Sequence, residues 1–138
     1  MPEAVVAITG ASGAQYGVRL VDELLGAGWQ VSLIITSAGA INLDLECGIT
    51  PHDIGERDGV TLEDNKNLAA RSASGSARFD AYVVCPASGT TVGKIAAGIS
   101  DNLATRSALV ALKERRKLIV VPREAPVSTP HLEAMARM

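Results

Sequence analysis

The sequence has 138 residues, room for one domain and too little for two of ordinary size. With 47% hydrophobic and 20% charged residues it must bury an ordered core, which excludes a disordered chain. A formal net charge of −2 without a basic tail argues against nucleic acid as a partner, and no apolar stretch approaches the ~20 residues of a membrane span.

Residues 4–9 (AVVAIT) are a continuous apolar run that stops at Gly10, the pattern of a buried strand. From Gly13 to Ala27 the positions Tyr16, Leu20 and Leu24, joined by Val21 and Leu25, recur at helical spacing, and Gly26 and Gly28 mark the end. A second strand is expected over 29–36 (WQVSLIIT), with Ser37 as the cap of a helix over AGAINLDLE. Residues 48–66 are polar, contain Pro51, Gly55 and Gly59, and lack a period; they read as loop with room for a short helix. NLAARSASGSARFD starts weakly helical and ends in small residues. AYVVCP (81–86) is a third buried strand, stopped by Pro86. TVGKIAAGI and LATRSALVALKERR have helical spacing, with Asp101 and Asn102 as turn or cap between them. KLIVVP (117–122) is a fourth strand, and STPHLEAMARM opens with Ser128 and Thr129 as cap candidates and Pro130 near the first helical position.

Strand and helix alternate throughout, so the fold class expected is α/β: a three-layer sandwich with a mostly parallel sheet. Its core must come from Val, Ile, Leu and Ala, because Tyr16, Trp29, Phe79 and Tyr82 are the only aromatics. In such folds ligands bind beyond the carboxyl ends of the strands, where the loops 9–13, 36–40, 86–91 and 122–129 fall.

The first of these loops, Gly10-Ala11-Ser12-Gly13, matches neither the dinucleotide fingerprint nor the P-loop. Its glycines permit close backbone approach, and the helix that follows offers free N–H groups to an anion; a ligand-free βα turn is the alternative. Ser88-Gly89-Thr90-Thr91 repeats the arrangement after the third strand, with plain helix capping by Ser88 or Thr90 as the alternative. Two such loops at one sheet edge suit a shared phosphate or flavin site. Arg106 and Lys113, seven apart, share a helix face, and Arg123-Glu124 is held between Pro122 and Pro126. Arg123 there suits an anion clamp and Glu124 a proton exchange, against a surface ion-pair turn as the alternative. The run Lys113–Lys117 (KERRK) reads equally as a solvated helix end. Glu46 alone reads as a solvated helix residue. His52 and His131 are isolated, and no metal site is expected. Cys47 and Cys85 carry no metal or disulfide spacing, and the N-terminus lacks a signal-peptide pattern, so a reducing cytoplasm is expected.

The stretches ITGASGAQYGVRL, GISDNLATRSALVALKERRKLIVVPREAP and STPHLEAM together resemble the UbiX-like flavin prenyltransferase family. The resemblance covers most of the chain and implies a Rossmann-like (flavodoxin-like) fold. It implies reduced FMN as a substrate, which receives a dimethylallyl group from dimethylallyl phosphate at N5 and C6, with no divalent metal. The product would be the prenylated cofactor of a UbiD-type decarboxylase. By motif match Gly10, Ala11, Ser12, Thr36, Ser88, Gly89, Thr90, Thr91 and Arg123 would contact FMN. Ser12, Glu46, Arg106, Lys113, Arg123 and Glu124 would fall on active-site positions, the cations offsetting the prenyl phosphate and Glu124 transferring a proton. Relatives form trimers, often stacked into dodecamers, with the flavin at a subunit interface, so a homo-oligomer is implied.

Two departures qualify the match. The family continues past this point through a strand and a helix that help hold the prenyl phosphate, so 1–138 is expected to be a single flavoprotein domain lacking that C-terminal segment. Ala87 stands where bacterial relatives often carry Cys. PASGTTVGKIAAGISDNLAT is also similar to phosphopantothenoylcysteine decarboxylases, but Asn67 occupies the place of their catalytic His. A flavin-binding protein without catalysis is the third reading.

Overall fold

β1 (Glu3–Ile8) is buried on both faces: Val5 and Ala7 point into one hydrophobic cluster, Val6 and Ile8 into another. This is why its sequence is an unbroken apolar run rather than an alternating one. In the computed structural model, which describes residues 1–138, β1 is the centre of a five-stranded parallel sheet. β2 (Gln30–Ile35) and β3 (Val60–Glu63) lie on one side of it, β4 (Ala81–Ala87) and β5 (Leu118–Pro122) on the other, in the order β3-β2-β1-β4-β5. That order makes the β1/β4 boundary the point where chain progression reverses. Loops leaving those two strands diverge there and leave a crevice between them.

Helices cover both faces. α1 (Ala14–Gly26) and the short α3 (Pro51–Gly55) pack with Val21 and Ile54 on the Val6/Ile8 side. α4 (Gly89–Ala97) and α5 (Leu103–Lys113) pack Val92, Ile95, Leu103, Ala104, Ala108 and Ala111 on the Val5/Ala7 side, and α6 (Thr129–Arg137) adds Ala134. The expected α/β sandwich is present.

The differences from expectation are local and physical. α2 (Ser37–Asn42) is capped one residue earlier than expected: Thr36 Oγ1, not Ser37, accepts from Gly39 N at 3.0 Å. Segment 48–66 holds the short helix for which the sequence left room and, beyond expectation, a strand. Thr50 and Asp53 form a reciprocal capping box that starts α3, and Val60–Glu63 adds a strand beside β2 that is only half covered, so its sequence lacks a strong apolar signature. Residues 67–80 form turns and a single 3-10 turn at Arg71–Ala73 instead of a helix. β4 runs through Pro86 to Ala87: Pro86 has no N–H to lose there, and its carbonyl accepts from Thr9 N at 3.2 Å. KLIVVP is the fifth strand and an edge, with Ile119 and Val121 exposed.

Arg116, read as part of a solvated helix end, is instead partly buried. Its guanidinium donates to the carbonyls of Ala77 and Gly75 and to Tyr82 Oη, tying the α5–β5 turn to the loop before β4.

Candidate functional site

The first loop is closed by a carboxylate from elsewhere in the chain. Gly13, at φ 107, turns the backbone from β1 into α1 and provides no side-chain cap. Glu46 supplies one: its Oε1 accepts from Gly13 N (3.0 Å) and Ala14 N (2.8 Å), and its Oε2 accepts from Ser12 Oγ (2.8 Å). Glu46 reaches that position because the helix begun by α2 widens into a π-helical turn, Leu43–Cys47, and Asn42 Nδ2 donates to Ala11 O at 3.1 Å. The hydrogen bonds from Ala14, Ser12 and Gly13, in that order, hold the Glu46 carboxyl below the usual glutamate range, and the nearby charge of Arg123 adds to them. The free N–H groups expected to cradle a phosphate therefore already serve an anion of the chain itself.

The second loop is built the same way. Ser88 Oγ caps α4, accepting from Thr91 N at 3.1 Å, which is the capping arrangement read for Ser88. Gly89 N is left for Glu124, whose Oε1 accepts from it at 2.8 Å. A Cβ at residue 89 would meet the ends of the His131 and Glu124 side chains, so glycine lets both side chains close over the start of α4. Glu124 and His131 thus line one small cavity of about 70 Å³ with Val92, Pro122, Val127 and Met135. His131, isolated in the sequence, is half-buried, and its Nδ1 has no hydrogen-bond partner. Arg123 is exposed and joined to β4 through its backbone N–H, which donates to Ala87 O at 3.1 Å.

Thr9 joins the two loops. It is 1% exposed; its Oγ1 donates to Pro86 O at 2.7 Å and accepts from Ser88 N at 2.8 Å. In the sequence Thr9 is simply the last residue of an apolar run. The available signal was a hydroxyl in a fully buried strand, which must find partners.

Between the loops lies an open polar cavity of about 400 Å³. Gly10, Thr36, Ser88, Thr90 and Thr91, all expected ligand residues, line it. So do Ser37, Ala38, Asn65, Lys94 and Asn102, which were not singled out as ligands. Asn65 and Asn102 are held there because their side-chain oxygens accept from Ala104 N (3.0 Å) and Thr105 N (2.8 Å) at the start of α5. Hydroxyls, amides and one cation in this volume fit the ribityl phosphate of a flavin nucleotide better than its ring.

Arg106 and Lys113 are not brought to these loops. Both are exposed and line a shallow groove of about 160 Å³ on α5 with Ser100, Leu109 and Val110. Lys113 ends the helix, at the opposite end of α5 from Asn102, and its Nζ is 3.7 Å from Glu114. No group of three or more His, Cys, Asp or Glu side chains is placed to hold a metal ion, and no helix is long and apolar enough to cross a membrane.

The parallel 3-2-1-4-5 sheet carries two glycine-containing loops at its switch point, and the model of the Flavoprotein family matches residues 2–138, the whole of this architecture. The chain belongs to this family, among its UbiX-like members. It is similar to the flavin prenyltransferase UbiX of Thermoplasma acidophilum, with 46% identity over 131 residues that cover 95% of this chain and 71% of the relative. Among solved structures it is similar to AnUbiX in complex with FMN and dimethylallyl pyrophosphate (TM-score 0.94, 34% identity, 99% of this chain and 72% of that one). It is also similar to a dodecameric FMN-dependent UbiX-like decarboxylase from Escherichia coli O157:H7 (TM-score 0.93, 37% identity, 98% and 74%).

Proposed function

We propose that this chain is a flavin prenyltransferase that moves a dimethylallyl group from dimethylallyl phosphate onto N5 and C6 of reduced FMN. The observation that carries the reading is the paired loop architecture of a UbiX-like chain: two βα loops, the first giving the N–H groups of Gly13 and Ala14 to Glu46 and the second that of Gly89 to Glu124, with a polar cavity of about 400 Å³ between the loops.

The bound reduced flavin supplies a nucleophilic nitrogen. The rest falls to the protein. Thr36, Ser88, Thr90 and Thr91 hold the polar end of the nucleotide, and Gly10 passes close to it, while Ala11 is buried behind the loop. Glu46, kept ionised by its hydrogen bonds, orients the Ser12 hydroxyl and the first loop towards the ligand. Glu124, fixed by Gly89 N–H, takes or returns a proton on the other side. Arg123 presents a cation beside Glu46, suited to the leaving phosphate.

Arg106 and Lys113 enter this scheme through a second copy. Their groove shares no residue with the cavities at the loops, and a cationic groove on the outside of α5 is available to a neighbouring subunit. Exposed Tyr16, Ile41 and Leu45 beside the first loop support a homo-oligomer, a trimer or dodecamer, with the flavin at the subunit interface. The prenylated flavin would pass to a UbiD-type decarboxylase in the cytoplasm. Two unpaired cysteines, Cys47 and Cys85, agree with that compartment. Residues 1–138 are read as one flavoprotein domain.

A decarboxylase of the phosphopantothenoylcysteine type is disfavoured by Asn67, whose side-chain oxygen accepts from Ala69 N at 3.0 Å in a turn and provides no base. The test is anaerobic incubation with reduced FMN and dimethylallyl phosphate, followed by the mass of the released flavin. A gain of one C5 unit with release of phosphate supports the reading. Bound but unmodified FMN would make the chain a flavin-binding protein, and no bound flavin would overturn both.

A further inference from the structure

The polar cavity between the loops has one ionisable side chain in its lining, Lys94 on the last turns of α4. Everything else that lines it is neutral: hydroxyls of Thr36, Ser37 and Thr91, amides of Asn65 and Asn102, and small residues. A phosphate monoester carries close to two negative charges at neutral pH. Neutral dipoles at this edge of the sheet can hold a phosphate, and Lys94 turned inward adds the one full positive charge that the lining can supply.

Lys94 is held ready to do so. Its Nζ lies 3.1 Å from Asp101 Oδ1 and 3.0 Å from Asp101 Oδ2, at the junction of α4 and α5, which keeps the ammonium at the rim of the cavity. The Asp101 side chain is 54% exposed, so its carboxylate returns to water at small cost when the ammonium leaves. A flexible four-carbon stem carrying a compact charge suits this exchange; a fixed guanidinium fork would need to be aimed already.

Resting on the flavin-binding reading, we propose that Lys94 exchanges Asp101 for the flavin phosphate and so makes the site selective for FMN over riboflavin. The cation acts on affinity for the nucleotide and takes no part in the chemistry at the ring.

The experiment is a binding titration of oxidised FMN and of riboflavin, followed by flavin fluorescence, for the wild-type chain and for Lys94→Met, Lys94→Gln and Lys94→Arg. Circular dichroism checks that each variant is folded. Wild-type protein is expected to prefer FMN. Lys94→Met and Lys94→Gln are expected to lose about ten- to hundredfold in FMN affinity, the worth of one charged hydrogen bond, with riboflavin affinity little changed. Lys94→Arg retains most of the preference. Equal preference for FMN in the wild type and both neutral variants would overturn the role of Lys94 and leave the FMN reading standing. Equal affinity of wild-type protein for the two flavins would overturn it without any variant. Binding of neither flavin by the wild type would overturn the flavin-binding reading itself, and the inference with it.

Discussion

Ser12 Oγ donates to Glu46 Oε2 at 2.8 Å across 34 residues of sequence, while the other carboxylate oxygen of Glu46 takes the first two free N–H groups of α1. Helix α1 is therefore capped by a side chain from the middle of the β2–β3 connection. A change at Glu46 must be felt both in the stability of α1 and at the ligand edge of the sheet.

Glu46→Gln keeps the shape and loses the charge, so it is expected to lower the melting temperature at pH 7. The wild-type carboxyl titrates below the usual glutamate range because its anion is hydrogen-bonded. Its contribution is fully present above the unfolded-state value and fades as pH falls through the lowered folded value. The gap in melting temperature between wild type and Glu46→Gln should therefore close as pH falls through that window. A gap constant from pH 7 down to the acid limb would refute the cap.

Thr9→Val replaces a buried hydroxyl that serves both Pro86 O and Ser88 N by a methyl of similar size. Urea unfolding should show a loss of about 1–3 kcal/mol, since two backbone groups lose a partner. Thr9→Ser should recover most of it. If Thr9→Val unfolds with the wild-type midpoint, the loops are held together by other contacts.

Gly89→Ala puts a methyl where His131 and Glu124 already meet. The two side-chain ends can turn away, so the expected destabilisation is small, about 1 kcal/mol, and the main effect is a displaced Glu124. Prenylation should then fall further than FMN binding, measured as kcat against the flavin dissociation constant.

Glu124→Gln should leave FMN bound and slow prenylation by about 10²–10⁴-fold, the usual scale of a lost proton-transfer group. Arg123→Ala should weaken flavin binding as well as slow prenylation. Prenylation by Glu124→Gln at the wild-type rate would remove it from the mechanism.

Lys113→Ala and Glu124→Gln, each impaired alone, should restore activity when co-expressed if α5 of one copy serves the loops of another. Mixed assemblies would then contain sites with both side chains intact. Complementation absent from a mixed assembly demonstrated by light scattering would place the two residues in one subunit's site.

The sequence by itself determined the layers. Continuous apolar runs at 4–9 and 81–86 specify strands buried on both faces, and the 3.6-residue spacing of 13–27 and 103–116 specifies covering helices, because burial is read by period. It also placed Gly10, Ser12, Ser88 and Glu124 at one edge of the sheet, since a parallel sheet sends every βα loop to the same end. β3 was illegible because an edge strand with Thr61 and Leu62 exposed has no burial pattern to read. Only the tertiary structure decided which anion each loop serves. Glu46 lies 32 residues from Ala14 and Glu124 lies 35 from Gly89, so no local spacing reveals that these carboxylates take the loop N–H groups. The same holds for Lys94 and Asn65, gathered around one cavity by the packing of α4, α5 and the β3 loop. Local chemistry fixes a residue's own element, but the partner of a polar group is set by which elements pack beside it.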